Sequence, residues 1–205
     1  MRPIIKIPGG KFYLWRKIVD LFPQNYIDYC YLEPFLGGGS IFLNKKPSTV
    51  EIINDLHRAT YLIWHYFKLA DSYFLDLLNN TVYTENCFEN WENTNVERDK
   101  IDNYNDVNIA FKELVLRRFS RGGLKKNFAW SNRLRGGIPG DQNGWETFVN
   151  NQNQYIKRLQ HTLINNEDGL ELIERHNTSN YLIYCDPPYL HKTRVSKNLY
   201  DIEWK

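Results

Sequence analysis

The stretch YLIYCDPPYL, residues 181–190, decides how the rest of the chain is read. Mostly apolar residues without helical spacing predict a short buried strand of a parallel sheet, Tyr181 to Cys185. The two prolines that follow lack N–H groups, so the strand's hydrogen bonding stops at Asp186. A carboxylate, two rigid residues and the ring of Tyr189 are then held at the carboxyl end of a strand, the edge where open α/β sheets place their ligands. Taken alone, the stretch is equally compatible with a strand that ends in a Pro-Pro turn beside a packed aromatic.

The 205 residues, 42% hydrophobic and 15% aromatic, suffice for one domain with a sizeable core, or for a domain plus a small insertion. A net charge of +2 announces no nucleic-acid partner globally, so such an argument has to come from where the charges lie. Cys30, Cys87 and Cys185 are odd in number and widely spaced, which suggests neither a disulfide framework nor a zinc site, and no metal is expected. The amino terminus has no long apolar core. The apolar run from Tyr61 to Leu78 is broken by His65, Lys68, Asp71 and Asp76, so a soluble, cytoplasmic protein without a membrane partner is expected.

Upstream of the strand lie two further corners of the same kind. Tyr26 to Leu32 reads as a strand running into EPFLGGGSIFLN, residues 33–44, where Gly37 to Gly39 let the backbone approach a ligand and Ser40 to Asn44 begin a helix. Phe35 stands where a dinucleotide fingerprint has its first glycine, and the chain has no Gly-Lys-Ser/Thr, so a ligand with an adenosine and no pyrophosphate suits better. Val50 to Ile53 form the next strand. Asp55 at its tip is placed to hold ribose hydroxyls, or equally to cap the following helix. Near the start, Gly9, Gly10 and Lys11 form either a ligand-cradling turn at the head of a helix that ends near Pro23, or a plain turn with a solvated lysine.

Between the corners, apolar residues from Leu56 to Leu78 recur at helical spacing and predict one or two helices covering the sheet. Residues 81–108 are polar and read as a surface excursion, followed by a helix from Val107 to Phe119. Arg117, Arg118, Arg121, Lys125, Lys126, Arg133 and Arg135 then occur with no acidic residue among them, interleaved with Phe119, Phe128 and Trp130. This segment suits phosphates and unstacked bases, and is also readable as a solvated basic loop. Trp145 to Leu163 has helical spacing.

With these pieces in order, the sequence resembles the DNA adenine N6-methyltransferases of the Dam type. EPFLGGGS resembles the family's motif I through Glu33, Phe35, Gly37 and Gly39; PGGK resembles its amino-terminal motif, NDL its acid-bearing second-strand motif, and DPPY its catalytic motif. The chain departs from the family at Ile7-Pro8, where a tryptophan and a small residue are common.

The resemblance implies an α/β, Rossmann-like S-adenosylmethionine-dependent sheet, incomplete on its C-terminal side, formed by residues 1–80 and 164–205, with a mainly helical target-recognition insertion at 81–163. It implies S-adenosylmethionine beside Gly9, Gly10, Lys11, Glu33, Phe35, Gly37, Gly39, Asp55 and Asp186. Asp186 and Pro187 would accept hydrogen bonds from the adenine amine, and Tyr189 would stack on a base flipped out of double-stranded DNA. Arg118, Arg121, Lys125, Lys126, Arg133 and Arg135 are the expected DNA contacts. Since strands follow DPPY in the family, a fragment or truncated chain is expected here, with a truncated DNA-binding relative that does not methylate as the alternative. A glutamine-methylating relative ranks below both, because such proteins typically carry Asn at the Asp186 position.

Overall fold

The computed structural model describes residues 1–96 and 102–188. Its strands are β1 (Cys30–Glu33), β2 (Val50–Asn54), β3 (Leu134–Arg135), β4 (Ile138–Pro139), β5 (Thr162–Asn165) and β6 (Tyr181–Ile183). Its helices are α1 (Trp15–Val19), α2 (Arg58–Leu69), α3 (Ser72–Asn80), α4 (Glu85–Asn93), α5 (Asn103–Phe119), α6 (Gly140–Asn150), α7 (Gln152–Leu159) and α8 (Gly169–His176).

Four strands form one parallel sheet in the order β5-β2-β1-β6. The run CYLE is enclosed because β1 has a neighbour on each side, and Tyr31 and Leu32 are fully buried. In register, Leu32 lies between Ile52 of β2 and Ile183 of β6. Leu172 of α8 completes a small apolar cluster with Leu32 and Ile52. From β1 the chain moves outward through β2 to β5, then returns to the other side of β1 for β6. The order therefore reverses at β1, and the carboxyl ends of β1 and β6 border the crevice where such sheets bind ligands.

The chain divides into two compact units, one made of residues 1–3, 9–61 and 161 onward, the other of residues 4–8 and 62–160. The division falls at 61 and 160 rather than at 80 and 163, and side-chain packing gives the reason. Phe67 of α2 meets Phe74 of α3, Phe148 of α6 and Tyr155 of α7 at ring separations of 5.2, 5.8 and 5.9 Å, and Phe74 meets Phe111 of α5 at 5.7 Å. The aromatic stripe of residues 62–78 is thus core of the second unit. Within that unit, Val107, Phe111, Leu114, Val115 and Phe119 recur at helical spacing along α5 and are buried. Strands β3 and β4 form a hairpin closed by Gly136 and Gly137, whose φ values of 60° and 83° meet the left-handed demand of a two-residue turn.

Six local expectations change. The first helix is only Trp15–Val19 and buries no residue, because Lys11 to Leu14 form a turn ahead of it. Tyr26–Asp28 is a 3-10 turn, and the strand starts at Cys30. Ser40 to Asn44 form consecutive turns instead of a helix, with the N–H of Phe42 drawn to Glu33. Residues 81–108 hold α4, whose Phe88 is buried and whose Trp91 lies 5.0 Å from Phe111, together with the first turn of α5. The helical run from Trp145 ends at Leu159, and Leu163 belongs to β5. Strand β6 is Tyr181–Ile183, with the Tyr184 N–H continuing the ladder to Leu32 O at 2.9 Å.

Phe67 is fully buried among three rings, so Phe67→Ala is expected to cost about 3–5 kcal/mol of unfolding free energy. Denaturant titration of the full chain measures this, and a loss under about 1 kcal/mol would contradict the packing described.

Candidate active site

The site begins with a side chain that is wholly enclosed. Asn54, the last residue of β2, donates through Nδ2 to the carbonyls of Pro34 and Glu167 at 2.9 and 3.0 Å, and its Oδ1 accepts the Glu167 N–H at 3.0 Å. Its carbonyl accepts the Leu36 N–H at 2.9 Å. One buried amide thus fastens the loop after β1 and the loop after β5 to the end of β2, and all three ends are held in common register.

Asp55 follows. Its Oδ2 accepts the Gly37 N–H at 2.8 Å and its Oδ1 accepts the His57 N–H at 2.9 Å. Gly37 and Gly39 have φ values of 50° and 66°, so the glycine turn takes a left-handed path that a side chain would strain. The cap position ahead of α2 is filled by His57, whose Nδ1 lies 3.4 Å from the Thr60 backbone nitrogen and whose carbonyl accepts the Tyr61 N–H. The Asp55 carboxylate thus turns one oxygen toward the glycine corner and the other toward the chain entering α2.

Glu33 ends β1 and is 3% exposed. One carboxyl oxygen accepts the Tyr31 hydroxyl at 2.6 Å and the Phe42 N–H at 3.1 Å. Burial pushes this carboxyl up to about 8, aided by the negative charge of Asp186 and opposed by the two hydrogen bonds and by Lys45. Lys45 is itself enclosed; its Nζ donates to Glu51 at 2.5 Å and lies 4.0 Å from the Tyr31 ring centroid.

On the other side of the strand-order reversal, Asp186 is gripped by Lys11. The ammonium donates to both carboxylate oxygens at 2.7 Å and to the Gly9 carbonyl at 2.9 Å. Lys11 and Asp186 side chains are 20% and 30% exposed, so the pair is reachable from solvent. Gly9, with φ 81°, allows the turn that brings Lys11 back onto Asp186. Pro187 is exposed, and Tyr189 lies outside the described residues.

Sequence reasoning did not single out Asn54 as a tie, and it missed the loop after β5 because Leu163 had been read into a helix. The signal was present in TLIN followed by NEDG, a β-branched run closed by turn formers. That loop contributes Glu167 to the Asn54 tie and Asp168, whose carboxylate caps α8 by accepting the N–H groups of Leu170 and Glu171.

The basic segment is divided by burial. Arg118 is 6% exposed, donates to the Ile4 carbonyl at 2.8 Å and lies 3.7 Å from the Phe148 ring centroid, so it serves the interior of the second unit rather than its surface. Arg117 and Lys125 both pair with Glu113, at 2.7 and 3.2 Å. Arg121, Lys126, Arg133 and Arg135 are exposed, the last two at the β3–β4 hairpin, where Leu134 is 63% exposed. Among the described residues no cluster of His, Cys, Asp and Glu is suited to a metal ion, and no helix is long and apolar enough to cross a membrane.

Three comparisons with known proteins bear on this geometry. A family model described as D12 class N6 adenine-specific DNA methyltransferase matches residues 8–204. The type II methyltransferase M1.LlaDCHI of Lactococcus lactis subsp. cremoris is 25% identical over 203 residues, covering 96% of this chain and 68% of that protein. A DNA adenine methylase of Haemophilus influenzae is 44% identical over 45 residues, covering 22% of this chain and 15% of the methylase.

The raised carboxyl of Glu33 has a consequence for pH dependence. The folded chain retains a proton that the unfolded chain releases near the ordinary value of 4.5, so this group costs stability as pH rises from there to about 8. Glu33→Gln keeps an acceptor for Tyr31 and Phe42 and removes that cost. Its stability relative to the unsubstituted protein is expected to improve between pH 5 and 8, by on the order of a few kcal/mol in denaturant titrations. A difference that does not change with pH would contradict the assignment.

Proposed function

Since the chain belongs to the D12 class of N6 adenine-specific DNA methyltransferases, we propose that it transfers a methyl group from S-adenosylmethionine to the N6 amine of adenine in double-stranded DNA. The observation that carries this reading is the placement of the glycine corner, Asp55 and Asp186 at the carboxyl ends of β1, β2 and β6, around the point where strand order reverses.

The corner suits the methyl donor chemically. Gly37 and Gly39 remove side-chain bulk, Phe35 offers a ring, and Asp55 offers carboxylate oxygens, each able to accept more than one hydrogen bond from ribose hydroxyls. Glu33 lies behind the turn, where it holds the Phe42 N–H, and so supports the corner. S-Adenosylmethionine, when bound, supplies a methyl group on a sulfonium, which is already activated for transfer.

The chain's task is then to prepare the amine, a poor nucleophile because its lone pair is delocalised into the purine. The Asp186 carboxylate and the Pro187 carbonyl accept from its two N–H groups and draw the nitrogen toward tetrahedral geometry. Lys11 holds the Asp186 carboxylate in place while it does so, a role distinct from the cofactor contact expected of it. Tyr189 stacks on the extruded base, returning roughly 1–3 kcal/mol of the few kcal/mol spent on unstacking and unpairing. Arg121, Lys126, Arg133 and Arg135 hold DNA phosphates, whereas Arg118 supports the fold.

Two measurements test this. Asp186→Ala is expected to lower the methylation rate of an adenine-containing duplex by about 10²–10³-fold while S-adenosylmethionine still binds. If the unsubstituted chain binds DNA but no S-adenosylmethionine, the reading fails in favour of a DNA-binding relative that does not methylate. Replacing Arg133 and Arg135 by Ala is expected to reduce the salt dependence of DNA binding by about one unit of slope each without lowering the melting temperature, whereas Arg118→Ala lowers the melting temperature. DNA affinity unmoved by the double substitution would remove the hairpin from the DNA surface.

A further inference from the structure

Gly169 occupies the first position of α8, with no backbone requirement for glycine, because its φ is not in the left-handed region. On helix propensity alone, alanine would suit this position at least as well. What excludes a side chain is one ring. A Cβ at Gly169 would stand 2.5, 2.9 and 3.1 Å from Cε1, Cζ and Cδ1 of Phe35, and no atom of any other residue is among its three nearest neighbours.

The backbone on both sides of this contact is fixed by the same asparagine. Pro34 gives its carbonyl to Asn54 and Leu36 donates its N–H to the Asn54 carbonyl, so the residues flanking Phe35 are tied down. Glu167, two residues before Gly169, is bonded to the Asn54 amide through both its N–H and its carbonyl. Asp168 then locks the first turn of α8 by accepting from Leu170 and Glu171. Neither backbone can retreat without breaking hydrogen bonds to the buried Asn54 side chain, so an added methyl group has to be accommodated by turning the Phe35 ring.

We propose that Gly169 is a positioning residue for Phe35 and, through the seat of that ring, sets the affinity of the glycine corner for S-adenosylmethionine. This rests on the cofactor reading given above. Gly169 itself touches no ligand; its contribution is the absence of a side chain on the surface that the ring lies against. The size of residue 169 is thereby a determinant of cofactor affinity located at the start of α8, outside every motif recognised in the sequence.

Calorimetric titration of the full chain with S-adenosylmethionine, for Gly169→Ala, Phe35→Leu and the double variant, tests the proposal. Leucine lacks the outer ring atoms that a Cβ would strike. Gly169→Ala is expected to weaken binding about tenfold, with a melting temperature no lower than that of the unsubstituted protein, and in the Phe35→Leu background the same change is expected to have almost no effect. Unchanged affinity in Gly169→Ala would overturn the proposal while leaving the cofactor reading intact. An equal loss in both backgrounds would also overturn it, since Gly169 would then act by another route. Should the unsubstituted chain itself fail to bind S-adenosylmethionine, the cofactor reading falls and this proposal with it.

Discussion

The buried amide of Asn54 is the constraint on which the site depends. Parallel strands connected through distant chain segments do not fix the positions of their own ends, since each ladder specifies a register but says nothing about the loop beyond it. A side chain with two donors and an acceptor, fully enclosed and bonded to Pro34 and Glu167, supplies that missing information. Leaving such a group unpaired in the interior would be costly, so its hydrogen bonds persist as long as the sheet does. The glycine turn, the Asp55 carboxylate and the loop after β5 inherit their positions from it.

The strand-end positions of the candidate site's residues were legible because those residues are chemically unusual for where they stand. Consecutive glycines after an apolar run, an acid at a strand tip and a carboxylate before two prolines have few structural explanations in common. What escaped reading had ordinary local chemistry. The β5 sequence TLIN shares its apolar positions with the end of a helix, and a four-residue strand carries too little periodicity to announce itself; pairing with β2 decided its state. The turns at Ser40 to Asn44 were read as a helix for the opposite reason. Their composition suits one, but the buried Glu33 claims the Phe42 N–H.

The basic segment teaches a different lesson about charge. Counting arginines and lysines from Arg117 to Arg135 treated them as one surface, yet Glu113 lies only four residues before Arg117 and draws both it and Lys125. Arg118 is spent on a carbonyl and a ring in the interior. A cluster that looked uniform in sequence is thus two populations, one that helps to build the second unit and one that faces solvent. Burial separates them, and no pattern of spacing alone would have done so.

The strand order has a consequence for how the protein comes to be folded. Strands β1 and β2 emerge early, but their outer neighbours β5 and β6 are encoded after residues 62–160, which with residues 4–8 form the second unit. Until those residues have been made, the first two strands present open edges on both sides. Closing the sheet requires contacts of large sequence separation, the kind that slows folding most. Packing within the second unit eases this, since contact between Phe67 and Tyr155 replaces a long flexible loop by a short spacer and lowers the entropy lost on closure. The interruption of the sheet by a compactly packed segment therefore makes sheet assembly more tractable than the length of the interruption suggests.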